Sequence, residues 1–355
     1  MVTSPHPPAN GFVRSMRKVY NPVGFAKGYN FVLWFIFGGA LLGFALARTP
    51  FLNFYGVFCD EGAAPGECWY YLRGRNHEKI GIILHLVTII PASILVLFQF
   101  IPVIRHKLIL FHRINGYLVI LLSLLGTAGA LMIARHAFGG GIETQMAMGL
   151  LAIMFVVSMV MAYVNVKRLQ IEEHRAWMLR GWFYAGTIIT VRLIMILTAM
   201  IISTQDGYYA ARPCGQVDYI FKGNQSKTLA SFPECGTYYS GQNLNQHTLI
   251  RADINNGGAA GASAALGLSF GPAAWLALAI HAIGIEIYLK LTPAEHDRLR
   301  NISYQRQRDA GMKNPGRAGL TVDRFGDAER WVPSGERGAG SEASVVGKAG
   351  SSSNV

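Results

Sequence analysis

His85, Arg192 and His281 each lie inside a long apolar stretch, where an ionisable side chain is costly and by default marks a site. Three more histidines stand at the ends of such stretches. They are His112 in His112-Arg113-Ile114-Asn115-Gly116, His136 beside Arg135 and Gly139-Gly140-Gly141, and His174 in His174-Arg175-Ala176-Trp177-Met178-Leu179-Arg180. Imidazoles on facing helices are how helical bundles hold haem or metals. Two layers can be drawn, with His85, His136 and His281 toward one face and His112 and His174 toward the other. Arg192 cannot lose its charge, so it needs hydration or a partner within the protein: a haem propionate, a substrate carboxylate, Glu286 or helix carbonyls. The plainer role of the end histidines is interfacial anchoring.

Other site chemistries have less support. His112 and His136 are 24 residues apart on one predicted helix, about 36 Å along its axis, so one helix cannot supply the ligands of two stacked haems. No HExxH and no CxxC pair suggests zinc or thiol redox chemistry, and no Walker or GxGxxG pattern suggests a nucleotide. No catalytic residue is assigned.

Membrane helices must position these residues. Of 355 residues, 51% are hydrophobic and 15% charged, which makes the bilayer the expected solvent. Stretches 30–47, 80–104, 114–134, 146–166 and 182–203 approach the ~20 apolar residues a spanning helix needs. A sixth, 266–289, carries Pro272 near its start, and Pro91 predicts a kink in the second. The expected fold is an all-α, polytopic bundle of six transmembrane helices. Residues 1–29 form an N-terminal tail without the apolar core of a cleavable signal, and 30–291 the membrane domain, with its core at 80–203. Residues 292–355 read as a polar, largely disordered tail ending in the Gly/Ser/Ala-rich run 335–355.

Orientation follows from Lys and Arg near the helix ends. With both termini in the cytoplasm, the cytoplasmic segments hold sixteen of these residues and the opposite segments nine, so N-in and C-in is expected. The net charge of +12 is then topological, and no nucleic-acid partner is implied. Loops 48–79 and 204–265 fall outside and contain Cys59, Cys68, Cys214 and Cys235, together with the sequon at Asn224. Four cysteines permit three pairings. Loop proximity favours Cys59 with Cys68 and Cys214 with Cys235, in a eukaryotic secretory-pathway or plasma membrane. The stretch 255–265 reads as a flexible Gly/Ala-rich entry to the last helix.

His85, the His112-Arg113-Ile114-Asn115-Gly116 segment and the His174 to Arg180 segment together resemble a family of predicted multi-pass membrane proteins of unknown function from bacteria and fungi. The likeness covers about 80–203, and Asn21-Pro22-Val23-Gly24-Phe25 resembles fungal versions. The resemblance implies a four-helix core with histidines near both faces, laid out as in b-type membrane cytochromes. It also implies a link to secondary metabolism, since some fungal relatives lie among secondary-metabolite genes.

The leading expectation is a haem-b-binding transmembrane oxidoreductase that passes electrons to a redox partner, with His85, His112, His136, His174 and His281 as ligand candidates and Arg192 on a propionate. The competing expectations are a membrane enzyme or binding protein for an apolar metabolite, and a non-catalytic scaffold or transporter subunit.

Overall fold

A computed structural model describes residues 7–73 and 76–334. Among the described residues, six helical runs are long and apolar enough to cross a membrane: Gly28–Leu52, His77–Phe100, Ile109–Ile133, Ile142–Lys167, Ile171–Ser203 and Gly258–Lys290. Helices satisfy their own backbone donors and acceptors, which hydrocarbon cannot do for them. The protein is an all-α, multi-pass membrane protein.

Three boundaries differ from the sequence reading. The third span begins at Ile109, so His112 lies inside the helix. The segment from His174 to Arg180 is likewise helical, within Ile171–Ala185, and leads through a turn at Gly186 into Thr187–Ser203. The sixth helix begins at Gly258. Pro272 therefore falls in its interior, and the expected flexible entry is rigid helix. The small residues there serve packing: Ala260, Ala264 and Ala265 are buried, and a Cβ on Gly261 would meet the Asp253 carbonyl at 2.6 Å. Asp253 Oδ1 accepts from the Asn255 and Asn256 N–H groups just before the helix.

The chain forms two compact units. The first comprises residues 1–152 and 186–278. In it, the second and third spans approach closely along glycines: a Cβ on Gly129 would meet the Gly81 carbonyl at 2.6 Å and the His85 nitrogen at 2.7 Å. Pro91 lies within the helix Asn76–Leu95, which tightens into a 3-10 run at Val96–Phe100. The Leu95 carbonyl at that junction accepts from Asn115 Nδ2 at 2.9 Å. The segment 204–257 is folded, with strands β1 (Tyr209–Pro213) and β2 (His247–Arg251) paired antiparallel in the register Ala211 to Leu249. Both expected disulfides, Cys59–Cys68 and Cys214–Cys235, are formed.

The second unit comprises residues 153–185 and 279–355. It overturns the expectation of a largely disordered tail. Pro293–Asp309 is a helix, and Leu299, Arg300, Ser303 and Gln307 on it are buried. Ser303 Oγ accepts from the Ile171 N–H at 2.7 Å and donates to Glu172 at 2.6 Å, tying this helix to the first turn of the His174 helix. Arg300 pairs with Asp323 at 2.5 Å and lies 3.8 Å from Glu172. Gln170 and Asn165 bind the backbone at Gly316, Gly319 and Leu320. These polar residues are hidden from a composition reading because they satisfy one another. The run 335–355 lies outside the described residues.

Candidate functional site

Within the first unit, His85 and His136 are committed to neighbours, whereas Arg192 packs against two aromatic rings with its buried Nε making no hydrogen bond among the described residues. His85 Nδ1 donates to the Gly126 carbonyl of the facing helix at 2.8 Å, where glycine lets the two backbones approach. His136 follows the third span, hydrogen-bonds through Nδ1 to buried Glu78 and stacks on Tyr70 at 4.0 Å. Burial holds the His136 imidazole below its ordinary pKa, while the Glu78 carboxylate pulls the other way. The Arg192 guanidinium lies 4.2 Å from the Phe138 ring centre and 5.6 Å from that of Phe270, two rings stacked 4.4 Å apart. Phe138 holds this place at a φ of 49°, a left-handed conformation that side chains other than glycine seldom adopt.

The carboxyl group electrostatically coupled to Arg192 is Glu67, which sequence reading did not single out. Glu67 is buried and accepts from the Tyr71 hydroxyl at 2.7 Å. Burial pushes its carboxyl above the ordinary range, opposed by Tyr71 and by the charge of Arg192. Glu286 has a different partner. In the second unit it holds Arg180 through two bonds, at 2.6 and 3.0 Å.

The second unit contains His174 and His281. His174 Nδ1 donates to the Ala162 carbonyl at 2.9 Å, and His281 Nδ1 to the Phe183 carbonyl at 2.6 Å. Such Nδ1 bonds to carbonyls also accompany metal-ligating histidines, so the levels of the rings decide the fit to haem. His85 meets its neighbour helix at Gly126, fourteen residues or about 21 Å from His112, and His136 lies past the end of that helix. Ala162 and Phe183 hold His174 and His281 at levels nine residues, or about 13 Å, apart along the His174 helix. Within the first unit His85 and His112 therefore lie at different levels, as do His174 and His281 within the second. Among the described residues no cluster of three or more His, Cys, Asp or Glu side chains is placed to hold a metal.

The second unit does contain a cavity of about 510 Å³, within the range of small-molecule sites. Arg175, Ala176, Trp177 and Arg180 of the His174 segment form one side, with Glu173 and Tyr184 on the same helix. Glu286 and Leu289 come from the end of the sixth span, His296 from the helix Pro293–Asp309, and Leu320 and Val322 from the chain beyond it. Arg180 is fixed by Glu286 and lies 4.7 Å from the Trp177 ring centre, and Arg175 donates to the Tyr288 hydroxyl at 3.2 Å. Burial holds His296 below its ordinary pKa, an effect that Glu172 opposes and Arg300 reinforces. Glu173 is half-buried and its carboxyl makes no hydrogen bond or ion pair with a described side chain. The wall therefore combines apolar surface, one fixed ion pair and titratable groups that remain available.

Residues 82–212 match the model of a family described as predicted membrane protein (DUF2306). The chain resembles that family. The match includes the His174 to Arg180 segment, so the stretch that carries the resemblance also forms a wall of the cavity. The chain is also similar to "Ava biosynthesis cluster protein G" of Aspergillus versicolor, with 23% identity over 327 residues, covering 79% of this chain and 94% of that protein. No solved structure matches.

Sequence reading missed Glu173, Tyr184 and His296. The first two were legible as neighbours of the signature, at one position before His174 and four after Arg180. His296 was hidden in a segment read as tail.

Proposed function

We propose that this integral membrane protein takes an amphiphilic secondary metabolite into the cavity of the second unit, as an enzyme or binding protein of its biosynthesis. One observation carries the reading: the family-like segment Arg175 to Arg180 lines a cavity whose Glu173, Tyr184 and His296 side chains are available to a ligand. The likeness to a protein named for a fungal biosynthesis cluster supports a role in secondary metabolism. Deleting the gene in its native host and profiling metabolites by mass spectrometry tests the reading. Loss of one product with accumulation of a precursor is expected, and an unchanged profile overturns it.

The proposed topology is N-in and C-in, supported by the Lys/Arg distribution and by two disulfides, which fit a secretory-pathway membrane. Asn224 is exposed and caps the helix Gln225–Ser231, which suits it to carry a glycan on the outer side. Enzymatic deglycosylation is expected to shift the mobility of the wild-type protein and leave Asn224→Gln unmoved. A wild-type protein that does not shift argues against this glycan.

A further inference from the structure

We infer that Glu173 and His296 form an acid–base pair that moves a proton within the bound metabolite, an amphiphilic carbonyl compound with an acidic C–H next to the carbonyl, and so catalyses an isomerisation. The inference rests on the reading that the cavity takes a metabolite.

Neighbouring carboxylates on one helix show the contrast behind it. Glu172 is buried and fully engaged by Gln170 Nε2 at 2.5 Å, Ser303 Oγ at 2.6 Å and nearby Arg300. Glu173, one residue on, projects into the cavity wall without a hydrogen-bond partner. The same bonds that immobilise Glu172 position its neighbour, because Ser303 grips both the Glu172 carboxylate and the Ile171 N–H. His296 lies seven residues before Ser303 on the helix Pro293–Asp309, two turns away on the same face. That face turns toward the His174 helix, so both groups line one cavity. Among the described residues the His296 ring makes no hydrogen bond. Two titratable side chains held by rigid helices and bonded to nothing are what general acid–base catalysis needs.

The step balances without an outside oxidant or reductant. With His296 neutral and Glu173 protonated, the imidazole takes the proton from the acidic C–H. The electron pair left behind shifts a double bond or closes a ring, and the Glu173 O–H delivers its proton at the other end of the rearranging system. Arg175 supplies a cation to polarise the carbonyl oxygen. A water in the cavity then returns the proton from the imidazolium to the carboxylate, and the product is an isomer of the substrate.

Gene replacement in the native host tests this with Glu173→Gln and His296→Gln beside the deletion. Membrane abundance and monodispersity in detergent are measured for each variant, and Glu173→Asp retains a carboxyl should the glutamine variant fold poorly. Well-folded Glu173→Gln and His296→Gln are expected to lower the product at least tenfold and to accumulate the same compound as the deletion. That compound should have the accurate mass of the missing product. Glu173→Asp should recover part of the output. Wild-type output from the variants, where the deletion loses the product, overturns the acid–base pair and leaves the binding reading standing. An accumulated compound of different mass overturns the isomerisation. A deletion without metabolic consequence overturns both.

Discussion

The two units differ in the polar side chains they leave open. In the first, His85, His136 and Arg192 meet a carbonyl, a carboxylate and a pair of phenyl rings. In the second, a similar density of charge surrounds a cavity and leaves Glu173 and His296 without hydrogen bonds. An ionisable residue inside a membrane segment is therefore a poor guide to function until its partner is known. The groups that promise chemistry here are those the fold positions firmly and does not satisfy.

The contrast is broken most severely by removing the frame of the cavity. Arg300→Met leaves Glu172 and Asp323 buried without their shared cation, although Arg317 still lies 3.2 Å from Asp323. Losing one member of a buried charge pair costs about 3 kcal/mol or more. The expected result is a thermal midpoint in detergent lowered by several degrees, together with loss of the product. Unchanged stability would show that the segment 293–334 is not an integral wall of the second unit.

Next in size is a test of how closely the first unit packs. Gly129→Val sets a branched side chain against the Gly81 carbonyl and the His85 nitrogen, both backbone atoms unable to yield cheaply. Overpacking of this kind costs about 1–3 kcal/mol. Gly149→Val is the control, since nothing lies within 4 Å of its would-be Cβ. Equal destabilisation by both would remove the packing argument. A smaller effect is expected from His85→Leu, which deletes one interhelix hydrogen bond worth about 1 kcal/mol. Product output should persist in that variant at matched protein level. A selective loss of output would return His85 to the list of functional residues.

The six spans, the disulfide pairing and the signature segment were legible because each depends on local pattern. Apolar runs, loop proximity and the His174-Arg175-Ala176-Trp177-Met178-Leu179-Arg180 string need no tertiary information to be seen. Partners could not be read in that way. Arg192 was weighed against Glu286, yet Arg180 takes Glu286, and the carboxyl group coupled electrostatically to Arg192 is Glu67, 125 positions earlier. Sequence reading also passed over the hydrolase-elbow string Gly267-Leu268-Ser269-Phe270-Gly271; it runs inside the sixth helix with Ser269 fully buried, so it lacks the strand-to-helix turn that exposes such a nucleophile. The tail was misread for a related reason. Composition records Arg300, Gln307, Arg317 and Asp323 as solvent-loving, whereas Arg300 and Arg317 pair with Asp323, and Gln307 bonds Gln170 and the Gly316 backbone.

The smallest expected effect is on pH dependence, and it bears directly on the side chain proposed as base. Burial holds His296 below its ordinary pKa, Glu172 and Asp297 work against that, and Arg300 and Arg175 reinforce it. The folded chain therefore binds this proton less tightly than the unfolded chain. Above the ordinary value of 6.5 the ring is neutral in both states and stability is unaffected. As pH falls through 6.5 the unfolded chain takes up the proton first, and stability declines until the folded ring is protonated as well. Glu173, whose carboxyl burial pushes up to about 7, contributes the opposite slope over this range, so the expected signature is a difference: relative to His296→Gln, the wild-type thermal midpoint should fall between pH 7.5 and 5, with a slope of at most one proton. Identical slopes for the wild-type protein and His296→Gln would assign the titration elsewhere. A midpoint that rises on acidification with His296 present, and not without it, would mean that the imidazolium is favoured in the fold, making the ring an acid where the proposal needs a base.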